Sequence, residues 1–201
     1  MVERIVIKIG GATLFQRNGF QTEVRGLVSQ YQSAQVWLLV GGGDLVEAMR
    51  TAHQIYPRLP DEDVHWQCIE LLDHTWRIAK QIVPTEHSIA SREDLERASQ
   101  LSDVTGVYWV RVQAFYNRED CDQIPQLWRP KLGWDTTTDT LAWLLGKIID
   151  AERVILMKQC ECNTAWTLVE AVRRGVIDSE LARLVQANPG VRPILELKQF
   201  G

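Results

Sequence analysis

The stretch AQVWLLVGGGD, Ala34 to Asp44, decides how the chain is read. Val36 to Val40 is an unbroken apolar run of strand-forming residues, and three glycines stop it at once. A run that is apolar on both faces suits a parallel strand covered on both sides, and the glycines mark a tight turn. The N-terminus repeats the arrangement: ERIVIKIGG, Glu3 to Gly11, is a β-branched run ending in two glycines. ERVILMK, Glu152 to Lys158, is a third buried strand, and RPILEL a closing one.

Helical patterns alternate with these strands. After the second glycine turn, Leu45, Val46, Ala48, Met49 and Ala52 share one helical face. Asp63 to Lys80 keeps Ile69, Leu72, Trp76 and Ala79 on one stripe, and SRED at Ser91 to Asp94 has the spacing of a capping box. Val107 to Tyr116 reads as a strand, Thr164 to Arg174 as a helix stopped by Gly175, and DSELARLV as a last helix. The alternation predicts an α/β fold, a three-layer αβα sandwich with a mostly parallel central sheet, as a single domain over 1–201.

Composition narrows the function. A formal net charge of −4 with no Lys/Arg-rich run argues against nucleic acid as a partner. Glu3 and Lys8 interrupt the N-terminal apolar run, and no stretch approaches the ~20 apolar residues of a membrane span. The expectation is a cytoplasmic protein acting on a small molecule. In a cytoplasmic protein its four cysteines read as free thiols, and the C-x-C of Cys160 and Cys162 is tighter than usual zinc spacing. No metal site is expected.

Chemistry is expected at the carboxyl ends of the strands. Gly10 and Gly11, Gly41 to Gly43, and Lys158 all fall there. Neither G-x-x-x-x-G-K-[ST] nor G-x-G-x-x-G occurs, which excludes a P-loop and removes the dinucleotide fingerprint. Lys8, inside an apolar strand, is either an edge residue facing water or a lysine at a buried rim that needs an anion; Lys158 poses the same question. In GWDTTTDTLAWLLGKIID, Gly133 to Asp150, Asp135 and Asp139 flank three threonines at the mouth of an amphipathic helix, with Thr136 and Asp139 at capping-box spacing. Together these suggest that the lysines and glycine amides bind a transferring phosphoryl group while an aspartate holds the lysines in place.

These segments resemble the amino acid kinase family, which includes acetylglutamate, aspartate and uridylate kinases. KIGGATL, from Lys8, is similar to its Lys-x-Gly-Gly-Ser motif, VGGGD to its second glycine loop, DTLA to its Asp-Thr/Ser-x-Ala motif, and RVILMK to the strand before its nucleotide loop. WDTTTDTLA and HWQCI are most similar to the branch that phosphorylates an aminomethylfuran phosphate in methanofuran-type one-carbon cofactor biosynthesis.

The resemblance implies an ATP-dependent kinase, with Mg2+, acting on an anionic acceptor. Lys8 would stabilise the transferring group, Asp139 would organise Lys8 and its opposing lysine, and Lys158 would serve the nucleotide side. Gly10, Gly11, Gly42 and Gly43 would donate amides to phosphate. Asp135 falls where the family contacts the acceptor's polar head, and His65 is a candidate substrate contact or an ordinary helix histidine. A phosphate or carboxylate acceptor is already ionised, so catalysis needs positioning and charge neutralisation rather than a strong base. A dimer through the helix at 63–80 is implied as well.

Two departures stand out. Where the family continues Asp-x-x-Gly after the nucleotide-side strand, this chain has KQCECN, with Gln159 for the aspartate and no glycine, and Ala12 replaces the first motif's serine. The alternative they raise is a non-catalytic small-molecule binder or regulatory subunit of the same fold.

Overall fold

The computed structural model describes residues 2–15, 19–163, 166–190 and 192–199. Six strands form one sheet: β1 (Arg4–Ile9), β2 (Gln35–Val40), β3 (His87–Ile89), β4 (Gly106–Val110), β5 (Arg153–Lys158) and β6 (Ile194–Gln199), in spatial order β3-β4-β2-β1-β5-β6. Every pairing is parallel. The helices are α1 (Gly11–Leu14), α2 (Phe20–Ser29), α3 (Asp44–Ile55), α4 (Asp61–Ile82), α5 (Arg92–Ser99), α6 (Thr138–Ile148), α7 (Leu168–Arg173) and α8 (Ser179–Ala187). No helix among the described residues is long and apolar enough to cross a membrane.

The period-two alternation of the strands divides the core into two layers. Val6, Trp37, Leu39, Val154 and Leu156 face α6, α8 and the first half of α4. Ile5, Ile7, Ile9, Val36, Leu38 and Ile155 face α2 and the second half of α4. α4 therefore serves both layers, contributing Trp66, Ile69 and Leu72 to one and Trp76 and Ala79 to the other. Its ends suit the helix dipole, with Asp61, Glu62 and Asp63 in the first turn and Lys80 in the last. α6 is buried almost all round, from Thr138 through Gly146, and is the central helix of its layer.

Several expectations are corrected. The strand expected at 107–116 ends at Val110, and a 3-10 turn follows at Val112–Ala114. Its neighbours give it nothing to pair with beyond that point: β3 stops at Ile89, and the β2 ladder ends at Leu38 opposite Trp109. The helix expected at Thr164–Arg174 begins at Leu168 behind an N-cap from Thr167; Thr164 and Ala165 lie outside the described residues. α3 buries none of its residues, although an apolar face was expected, because it packs against α4 rather than on the sheet; Val46 alone touches the core. α2 and β3 were not anticipated. The SRED capping box is present in full, with Asp94 N–H donating to Ser91 Oγ at 3.2 Å and Ser91 N–H donating to Asp94 Oδ2 at 3.1 Å. Gly175, at φ +69°, ends α7.

Candidate active site

β2 is added on one side of β1 and β5 on the other, so the carboxyl ends of these three parallel strands open onto one crevice at the switch point, where open parallel sheets bind ligands. Register brings the glycine turns together. Ile9 pairs with Val40, and the Gly41 amide donates to the Ile9 carbonyl at 2.9 Å. Beyond that bond the two turns interlock through backbone. A Cβ on Gly11 would stand 2.1 Å from the Gly43 nitrogen and 2.4 Å from the Gly41 oxygen, and Gly43 takes φ +52°. Glycine is required at both positions by contact and by conformation. The amides of Gly42 and Gly43 donate to no acceptor among the described residues.

The same alternation that builds the core sets the charges. Lys8 has the parity of Val6, and Lys158 that of Val154 and Leu156, so both lysines extend toward α6. There they meet Asp139, in the first turn of that helix. Lys8 Nζ lies 3.0 Å from Asp139 Oδ1, and Lys158 Nζ donates to Oδ2. Lys8 is 7% exposed and Asp139 2%, which settles the alternatives for Lys8: it lies at a buried rim, on a central strand. Burial pushes the Asp139 carboxyl up, but the Lys8 and then the Lys158 ammonium outweigh it and hold the group below its ordinary value. Burial pushes Lys158 down; Asp139 opposes that shift and the Lys8 charge adds to it. Two ammonium groups thus share one contacting carboxylate, and the Asp178 carboxylate acts on Lys158 from further away.

The N-cap of α6 is Thr137, whose hydroxyl accepts from Asp139 N–H at 3.2 Å. This corrects the capping box expected from Thr136 and Asp139. The Asp139 carboxylate turns toward the lysines instead, and Thr136 donates to the Lys131 carbonyl at 2.6 Å.

A cleft of about 480 Å³ lies over this cluster. Lys8, Lys158, Asp139, Gly11, Gly42 and Gly43 all line it, and Asp135 stands exposed at its rim. Gly10 lies just behind, as the N-cap of α1. His65 is buried away from the cleft and lines a small adjoining cavity of about 60 Å³ with Gly42 and Thr136. Its Nδ1 accepts from the Gly133 amide at 3.2 Å and its Nε2 meets the Tyr116 hydroxyl at 3.0 Å. Burial holds its pKa below the usual 6.5, and the neutral ring fits these partners.

Three contributors escaped the sequence reading. Arg50 lies 4.4 Å from the centre of the Trp134 ring, and the Trp134 indole donates to His53 Nδ1 at 2.8 Å; Arg50 and Trp134 both line the cleft. Arg50 falls seven residues after Gly43, two helical turns on, so spacing could have found it. Asp178 caps α8 and also accepts hydrogen bonds from Thr137 and Thr140 of α6. The loop after β5 is mostly exposed; Gln159 donates to the Thr13 hydroxyl at 3.2 Å. Cys160 and Cys162 sit in that loop, and no group of three or more potential metal ligands occurs among the described residues.

No family model and no curated protein sequence matches the chain. Solved structures do. A uridylate kinase from Archaeoglobus fulgidus superposes with a TM-score of 0.58 at 20% identity, over 96% of this chain and 90% of that one. A UMP kinase from Bacillus anthracis gives 0.59 at 13%, over 98% and 87%. An aspartate kinase from Synechocystis gives 0.63 at 13%, over 96% of this chain and 37% of that one. At these identities the likeness is one of fold: the chain has the three-layer α/β architecture of amino acid kinases.

Proposed function

We propose that the protein is a phosphotransferase that moves the γ-phosphoryl group of Mg-ATP to an anionic oxygen of a small metabolite. One observation carries the reading: Lys8 and Lys158 converge on the single buried carboxylate of Asp139, beside free glycine amides, at the strand ends of a fold found in uridylate, UMP and aspartate kinases. Two lysines that share one contacting carboxylate, and glycine N–H groups without an acceptor among the described residues, call for an anion with several oxygens, and a triphosphate supplies them.

In the proposed reaction an acceptor oxygen lone pair attacks the γ-phosphorus, the bond to the β–γ bridging oxygen breaks, and ADP leaves with that electron pair. An ionised acceptor has no proton to lose, so no general base is required. Lys8 neutralises charge on the transferring group, Lys158 does so on the donor side, and Asp139 keeps the two ammonium groups apart at a fixed spacing. Gly11, Gly42 and Gly43 supply the amide cradle, with Gly10 setting the turn. Since no cluster of carboxylates among the described residues stands ready to hold a cation alone, Mg2+ would be carried by the triphosphate oxygens.

The opposite rim suits the acceptor. Arg50 offers a guanidinium for a phosphate or carboxylate, Trp134 a flat ring, and Asp135 a carboxylate for an ammonium group. That set matches an aminomethylfuran phosphate, which carries all three features, and this is the acceptor we propose; His65 supports the loop bearing Trp134 and Asp135. A dimer through α4 belongs to the same reading, and sedimentation at micromolar protein tests it.

31P NMR of the protein with Mg-ATP and an aminomethylfuran phosphate is the test. A new diphosphate signal, matched in amount by ADP, is expected. ATP that stays intact with every phosphate and carboxylate acceptor offered would overturn the proposal. The exposed, glycine-free loop after β5 favours a second reading, a binder without turnover, which predicts ligand binding with no transfer.

A further inference from the structure

The carboxylate of Asp178 collects more hydrogen bonds than its role as the N-cap of α8 requires. Leu181 N–H donates to its Oδ1 at 2.6 Å, the expected cap bond. The Thr140 hydroxyl also reaches Oδ1, at 2.5 Å. The other oxygen accepts from the Thr137 hydroxyl at 2.6 Å and from the amides of Thr137 and Thr140, each at 3.2 Å. Thr137 and Thr140 bracket Asp139 in the chain. The first turn of α6, whose amides lack partners within the helix, is thus clamped on both sides of Asp139 by a residue 39 positions later. Around Asp178 itself, the wall of the cleft is formed by Gly175 to Ser179.

We infer that Asp178 is a positioning residue: it holds Asp139 at the spacing that keeps Lys8 and Lys158 in register, and it ties that spacing to the donor-side wall of the cleft. The inference rests on the phosphoryl-transfer reading for its kinetic consequence, though not for its geometric one. Asp178 touches neither lysine, so its effect passes through the α6 backbone. A neutral, single-acceptor side chain at this position can still cap α8 but cannot satisfy the Thr137 amide. Cap and clamp can therefore be separated.

The test compares Asp178→Asn and Asp178→Ala with Ser91→Ala, which removes the capping box of α5 far from the cleft. Asp178→Asn is expected to lower kcat by about tenfold or more, with KM for both substrates within about threefold, because displaced catalytic groups cost rate rather than binding. Asp178→Ala should fall further, and Ser91→Ala should lose thermal stability at unchanged kcat. A second readout does not need turnover: amide hydrogen exchange at Thr137 and Thr140, whose N–H groups donate to Asp178. Asp178→Asn should speed exchange at the Thr137 amide by about fivefold, as for the loss of one hydrogen bond, and Ser91→Ala should leave it unchanged. If Asp178→Asn behaves like Ser91→Ala in both kcat and exchange, the inference is wrong. If the wild-type protein transfers no phosphoryl group, the functional reading fails instead, and exchange at Thr137 alone decides the positioning role.

Discussion

At the ends of β1 and β2 the chain packs backbone against backbone; at the end of β5 it runs outward into solvent. The first region leaves no room for change. Gly11 lies against Gly41 and Gly43, and Lys8 is locked onto Asp139. The second holds one buried-rim lysine and then the exposed Gln159, Cys160 and Glu161, anchored through Gln159 to Thr13. Transfer chemistry demands fixed positions for charges, and the interlocked turns provide them. A nucleotide's base and ribose need contact area, and under the proposed reading the cleft residues Gly175 to Ser179, ahead of α8, would supply that wall rather than the β5 loop.

The contrast breaks first at its charges. Lys8→Ala or Asp139→Ala should reduce turnover by about 10²-fold or more, as for other losses of preorganised electrostatic stabilisation. Steady-state kinetics checks this, and near-wild-type rates in either variant would end the assignment. Asp139→Ala should also unfold more easily, by about 3–5 kcal/mol, since it strands two buried ammonium groups.

Backbone packing comes next. Gly11→Ala must push apart two glycine turns and should cost about 1–3 kcal/mol, like other overpacked sites. Gln159→Ala loses one hydrogen bond at the surface and should cost about 0.5–1.5 kcal/mol. Denaturant melts of the pair measure the contrast directly; equal losses would dissolve it.

On the acceptor side, Arg50→Ala or Trp134→Ala should raise the acceptor's KM about tenfold while kcat stays within a few-fold, the mark of lost uniform binding. A matching drop in kcat would move these residues into the transfer step.

The gentlest perturbation is pH. Lys158 titrates below the ordinary lysine value of 10.5 because burial disfavours its charge. Transfer needs the ammonium, so activity should decline as pH rises through that lowered value, before 10.5 is reached. Lys158→Arg should push the alkaline limb upward, since guanidinium does not titrate there. Stability has the opposite edge. The Asp139 pKa is depressed, so its contribution is present above 3.8 and is lost as pH falls through the folded value.

How much could be read in advance follows from distance along the chain. Strand positions marked Lys8 and Lys158 as candidates, and a helix mouth marked Asp139, because each is a local pattern; which way the lysines point needed the sheet register. Asp178 was invisible as a clamp because its partners lie 38 and 41 positions away. With three threonines in a row, capping chemistry alone could not choose Thr137 over Thr136. β3, three residues long, has too few positions to display alternation, and 107–116 was read as one strand because apolar residues continue into the 3-10 turn that the missing neighbours impose.

The most direct measurement is a thermal-unfolding titration with Mg-ATP, with Mg2+ alone as control. At about 100 times its Kd, a ligand of the native state adds about 2.7 kcal/mol. The account predicts a saturable rise in Tm that is lost in Lys8→Ala. No shift at millimolar Mg-ATP would contradict it.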